Sequence, residues 1–160
     1  MSMLYNKIRG RGGKLSDMEY LAIKAFEGKI VRTTANLNTV NAVCSYTVPS
    51  GKTAYVLNAT VQQVGNLPLG ITSSRMSSLS LEVDGTGVSY QYAGIVDGYS
   101  GYDTSGFQLG DGKFDTAGIK LEGDGSKTIR IKMLYKGANT GNVFATLTVL
   151  IEDTGTTPAA

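Results

Sequence analysis

Val143-Phe144-Ala145-Thr146-Leu147-Thr148-Val149-Leu150-Ile151 places Val143, Ala145, Leu147, Val149 and Ile151 on one parity of the chain. Successive side chains of a β-strand point to opposite faces, so this spacing gives a strand with one apolar face and not a helix. The same period of two recurs upstream. Ile129, Ile131, Met133 and Tyr135 alternate with Thr128, Arg130 and Lys132, and Leu79, Leu81 and Val83 alternate with Ser80, Glu82 and Asp84. Between Thr53 and Val64, Tyr55, Leu57, Ala59 and Val61 are expected on one face, opposite Asn58, Thr60 and Gln62. Turn chemistry separates these runs: Pro49-Ser50-Gly51, Asp84-Gly85-Thr86-Gly87, Asp111-Gly112, Asp124-Gly125 and Asn139-Thr140-Gly141-Asn142. The expectation is an all-β protein, an antiparallel β-sandwich of about eight strands. No helical pattern lies between the strands, which argues against parallel βαβ units.

One helix is expected, near the N-terminus. Ser16 and Glu19 have the spacing of a capping box, with Leu15 and Tyr20 placed as a hydrophobic staple. Met18, Leu21, Ala22 and Ala25 recur every three to four residues, and Gly28 stands where a glycine would end the helix. These signals predict a helix over residues 17–27. Residues 1–14 are glycine-broken and basic.

Composition narrows the class. A chain of 160 residues is enough for one domain with a real core. The 21 glycines follow no collagen-like period, so they read as turn residues between many strands. Cys44 is the single cysteine and sits in the apolar run Val43-Cys44-Ser45-Tyr46, where a small buried hydrophobe is expected. Residues 1–30 contain no uninterrupted apolar core of a signal peptide, and no run is long enough for a transmembrane helix. Synthesis in the cytoplasm without export is therefore expected. Charge is unevenly placed. Lys7, Arg9, Arg11, Lys14, Lys24, Lys29 and Arg32 oppose only Asp17, Glu19 and Glu27, so residues 1–32 carry +4 while the remainder carries −2. Such an arm suits an anionic partner or the acidic face of a neighbouring subunit.

The chemical inventory points away from catalysis. Without histidine, Ser-His-Asp and Cys-His nucleophiles and the usual zinc sites are absent. Gly51-Lys52-Thr53 imitates the end of a phosphate-binding loop, but Tyr46 replaces the first glycine and strand residues follow, so a tight turn is expected there. Asp97, Asp103, Asp111 and Asp115 lack calcium-loop spacing, and no metal or cofactor is expected. Glu82, Glu122, Asp84 and Asp124 could in form supply a glycosidase pair, yet both aspartates belong to Asp-Gly turns and there is no tryptophan to stack on sugar. The protein is expected not to be an enzyme and to have no small-molecule substrate. Arg9-Gly10-Arg11-Gly12-Gly13 resembles a fragment of RGG-type nucleic-acid-binding sequence. Asn58-Ala59-Thr60 is a glycosylation sequon in form only, being mid-strand. Residues 65–77 and 94–116 are too long and glycine-rich for hairpin turns, and long loops carry interaction surfaces. The second holds Tyr99, Tyr102, Phe107 and Phe114.

The layout resembles the single jelly-roll structural proteins of virions, the capsid and decoration proteins of phages and archaeal viruses. The residues that carry the likeness are the basic arm from Lys7 to Lys14, the short helix from Asp17 to Glu27, and the strands from Lys29 to Glu152. Tyr46-Thr47-Val48-Pro49-Ser50-Gly51-Lys52-Thr53 is similar to the "T-V-P-x-G-K-T" openings of such β-sandwiches. The resemblance implies a single jelly roll. It also implies a self-assembling, homo-oligomeric capsid subunit located in the virion, with the arm reaching neighbouring subunits, genome or internal membrane. The expected division is an arm and helix over 1–28, a sandwich over 29–153 and a tail over 154–160. Lys7, Arg9, Arg11 and Lys14 are then the expected nucleic-acid or membrane contacts, and Tyr99, Tyr102, Phe107 and Phe114 the expected interaction loop. A phage tail or receptor-binding module that takes host glycan through the 94–116 loop is the alternative.

Overall fold

The computed structural model describes residues 17–64, 75–96, 107–108, 112–137 and 142–155. One helix, α1 (Asp17–Phe26), precedes nine strands: β1 (Ile30–Asn36), β2 (Val43–Thr47), β3 (Lys52–Val64), β4 (Arg75–Val83), β5 (Thr86–Val96), β6 (Phe107–Gln108), β7 (Lys120–Glu122), β8 (Thr128–Tyr135) and β9 (Asn142–Asp153). The strands form two antiparallel sheets, ordered β1-β9-β3-β7 and β2-β8-β4-β5-β6. Leaving aside the two-residue β6, eight strands remain. They nest, first with last and inward: β1 pairs β9, β2 pairs β8, β3 pairs β7 and β4 pairs β5. That is one long antiparallel ribbon rolled into two sheets, a single jelly roll.

The core lies between the sheets. Val143, Ala145, Leu147 and Val149 of β9 meet Ile129, Ile131 and Met133 of β8, with Leu79 and Leu81 of β4, Cys44 of β2 and Leu37 just beyond β1. The alternation read in the sequence therefore holds for β8 and β9, with two local exceptions. Ile151 is only half-buried against the core, and Tyr135 is exposed, since it lies at the end of β8 beyond the last buried residue.

Strand β3 departs from simple alternation for a physical reason. Its register against β9 shifts between Val56 and Asn58, so Leu57 is the extra residue of a β-bulge. One inserted residue reverses the facing parity. Ala54 and Val56 face the core before the bulge and Ala59 and Val61 after it, which turns Tyr55 outward, contrary to the uninterrupted pattern expected for Tyr55, Leu57, Ala59 and Val61.

The connections use the turn residues present. In the Gly51-Lys52-Thr53 segment, Lys52 N–H donates to Pro49 O at 3.2 Å and Gly51 has φ +74°, the arrangement of a type II turn entering a strand. Asp84 and Gly85, with φ of 49° and 82°, form the two-residue hairpin between β4 and β5. Residues 94–116, read as one irregular loop, are partly ordered: β5 runs to Val96, and Phe107 and Gln108 pair with it as β6. The stretch from Gly112 onward is laced to β3, with Val61 N–H donating to Gly112 O at 2.7 Å and Phe114 N–H to Ala59 O at 2.9 Å.

Candidate interaction surfaces

Helix α1 ends as the sequence expects. Lys29 N–H donates to Lys24 O and Gly28 N–H to Ala25 O, with Gly28 at φ +70°, which is a complete Schellman cap. The chain then runs directly into β1. Ser16 and Leu15, which the capping box and staple require, lie outside the described residues.

What fastens α1 to the body is a carboxylate near the other end of the chain. Glu152 occupies the outward parity of β9, opposite Thr53 of β3, and is only 2% exposed. Its Oε1 accepts a 2.6 Å hydrogen bond from the Tyr20 hydroxyl and lies 3.0 Å from Lys24 Nζ; its Oε2 accepts from Lys29 Nζ at 3.4 Å. Burial works against ionisation of Glu152, but the Tyr20 hydroxyl and the two ammonium groups outweigh it and hold the carboxyl below its ordinary value. The phenol responds oppositely. Burial and the bond to Glu152 push Tyr20 far above its ordinary value, so it remains a donor. Ile23 and Leu150 are also buried, outside the main core, consistent with α1 covering this end of the outer face of the β1-β9-β3-β7 sheet.

The opposite side of α1 is apolar and open. Met18 is 78% and Phe26 74% exposed, with Ala22 and Ala25 exposed between them. At 3.6 residues per turn these four fall within an arc of about 100°. Ile23, Tyr20 and Lys24 occupy the opposite side. The recurrence of Met18, Ala22 and Ala25 that located the helix thus marks its outward face.

Two further apolar sites lie on opposite edges of the β2-β8-β4-β5-β6 sheet. At the β2 edge Val43 is exposed, close in sequence to exposed Val40. At the other, no described strand pairs the outer side of β5 between Thr86 and Gly94, and Val88 and Tyr90 (63%) are exposed there.

The expected contact residues divide sharply. Lys7, Arg9, Arg11, Lys14, Tyr99 and Tyr102 lie outside the described residues; Phe107 is described only as the backbone partner of Val96. Phe114 is corrected: it is 1% exposed and belongs to the core. Its segment closes the open side of the sandwich between β3 and β5, where Gln91 Nε2 donates to Lys113 O at 2.8 Å and Asp115 N–H to Ser89 Oγ at 3.2 Å. Burying the ring there stabilises the closure, so it does not face a partner. A shallow groove of about 480 Å³ borders this segment, lined by Gln91, Lys113, Asp115 and Thr116 among others.

The carboxylates considered for glycoside cleavage do not converge. Glu82 lies on the outer face of β4, accepting from Arg130 Nε at 2.6 Å and Ser80 Oγ at 3.2 Å. Glu122 is exposed on β7 of the other sheet. Asp124 Oδ1 accepts from Ser126 N–H, Ser126 Oγ and Lys127 N–H, which hold its carboxyl down at about 2 in a turn-forming role. Among the described residues, no group of His, Cys, Asp and Glu could hold a metal ion. Cys44 is buried, donating from Sγ to Thr33 O at 3.4 Å, and burial pushes its thiol up.

Fold and surfaces define a single jelly-roll β-sandwich with an externally clipped helix and apolar residues on open edges. Comparison of the chain with protein-family models, curated proteins and solved structures found no match.

Proposed function

We propose that this protein is a self-assembling structural subunit of a virion shell. The observation that carries the reading is the placement of exposed apolar residues on opposite edges of one sheet, Val40 and Val43 at the β2 side and Val88 and Tyr90 at β5. Among the described strands β2 has a free edge, such an edge with apolar side chains invites pairing, and two different surfaces on opposite flanks give a head-to-tail contact, which closes into a ring or shell where the rotation between copies permits. The jelly roll is an architecture of viral capsid domains, though also of lectins and cupins. Low charge, 18% of residues, leaves neutral surface for close packing. Helix α1 is fastened to Glu152 of the other sheet, away from these edges.

Electron microscopy and light scattering of the purified protein test the reading. Uniform rings or closed particles are expected. Tyr90→Asp and Val43→Asp should each suppress them while moving the thermal midpoint by no more than about 2 °C, as surface substitutions do. A monomer at every attainable concentration would sink the proposal.

A further inference from the structure

Helix α1 carries its apolar residues on the wrong side for a helix whose only task is to pack on its own sheet. Inward it presents Tyr20 and Lys24 to Glu152, with Ile23 buried. Outward it presents Met18, Ala22, Ala25 and Phe26, and no charged residue is exposed within the described side chains of the helix. A stripe of this kind is stable in water only at a cost, and marks a surface meant to be covered.

The sequence immediately before it identifies the cover. Residues 1–16 contain Lys7, Arg9, Arg11 and Lys14 and no acidic residue, together with Met1, Met3, Leu4, Tyr5, Ile8 and Leu15. Apolar side chains beside uncompensated cations match one surface chemistry, an anionic lipid bilayer, in which the former enter the acyl boundary and the latter meet head groups. Nucleic acid would use the cations and leave Met18 and Phe26 in water. A second copy would bring together two segments of the same positive sign. Arg32, exposed at the outward parity of β1, adds a cation on the same outer face. No described helix is long and apolar enough to cross a membrane. With ten residues, α1 is about 15 Å long and would lie along the surface.

We propose that the Met18–Phe26 stripe docks the protein onto an anionic membrane. The inference names the partner of the arm within the shell-subunit reading, on which it rests.

Flotation of the full chain with phosphatidylcholine vesicles, with and without phosphatidylserine, tests it. The protein is expected to float with the anionic vesicles only. Met18→Ser with Phe26→Ser should lower partitioning at least about tenfold, and Lys7→Gln with Arg9→Gln at least about fivefold. Raising salt to about 0.5 M should also release it. Because the stripe is exposed, the serine variants should keep the wild-type thermal midpoint, so lost binding is not lost folding. The inference is overturned by equal flotation with neutral vesicles or by serine variants that float undiminished. It is overturned equally by variants that instead change the oligomeric state, which would assign the stripe to a second copy, or by binding of homopolymer RNA without vesicles. Particles without flotation overturn only this inference; flotation without particles overturns only the shell reading.

Discussion

The Tyr20 hydroxyl donates a 2.6 Å hydrogen bond to Glu152, 132 positions away, and so ties the helix that opens the described chain to the strand that nearly ends it. Lys24 and Lys29 complete the pairing around the same carboxylate. Together with buried Ile23 they fasten α1 to the sheet, so loss of the clip is expected to loosen the helix that carries the outward stripe.

Glu152→Ala should therefore free α1. Removing one partner of a buried, paired carboxylate costs on the order of 2–4 kcal/mol, less here because Lys29 retains solvent access. Hydrogen exchange should show lost protection across residues 17–26 with the β8 and β9 amides unaffected. Unchanged protection in the helix would mean that Ile23 packing and contacts other than Glu152 hold it.

The clip is confined to a pH window. The folded carboxyl of Glu152 lies below its ordinary 4.5, so its contribution is whole above 4.5 and is lost as pH falls through the lowered value. Lys24 behaves in the reverse sense. Burial disfavours its charge, but Glu152 outweighs this and raises it above 10.5, so its share is whole below 10.5 and is lost as pH rises through the raised value. Tyr20, raised above its ordinary 10.0, contributes fully only below 10.0, so helix protection, corrected for intrinsic exchange, should be flat between 4.5 and 10.0 and fall on acidification. In Glu152→Gln the acid limb should disappear.

Phe114 and Tyr90 should separate stability from assembly. Phe114→Ala empties a fully buried site and is expected to cost about 3–5 kcal/mol in denaturant unfolding. Tyr90→Ser should leave unfolding nearly unchanged and alter particle formation instead. A mild Phe114→Ala phenotype would show that the 112–116 segment collapses into the space.

Gly123 tests a close approach. A Cβ there would meet the carbonyl oxygens of Val48 and Pro49, while the Gly123 N–H donates to Lys52 O at 2.8 Å. The obstacle is backbone and cannot swing aside, so Gly123→Ala should lower stability by about 1–3 kcal/mol. Gly118→Asn, at φ +70° with open space around it, should cost less, since asparagine tolerates that region. Thermal melts of the two variants give the comparison.

Much of the strand content was legible because period two is a local property. Val143 to Val149 and Ile129 to Met133 show their buried parity without reference to any partner. The bulge at Leu57 was not legible, because an inserted residue is defined only against the β9 register. Phe114 read as a loop aromatic since Gly112 and Asp115 look like turn residues from either side of it. Glu152 carried one faint signal, an acid following apolar Leu150 on a parity that also holds Asn142, Phe144, Thr146 and Thr148, and nothing in a single chain of letters says that a helix over 120 residues earlier will cover it.

By itself, then, the sequence determined the all-β class, the place and ending of α1, the turns at Pro49-Ser50-Gly51 and Asp84-Gly85, and the segregation of positive charge at the front of the chain. Each follows from side-chain period, glycine or proline stereochemistry, or composition, which act over a few residues. The nested pairing of first strand with last, the bulge parity, the clip at Glu152 and the outward turn of Met18 and Phe26 were decided only by tertiary structure. They depend on which distant faces meet, and the amphipathic pattern of a helix shows that it has an apolar stripe but not which way the stripe points.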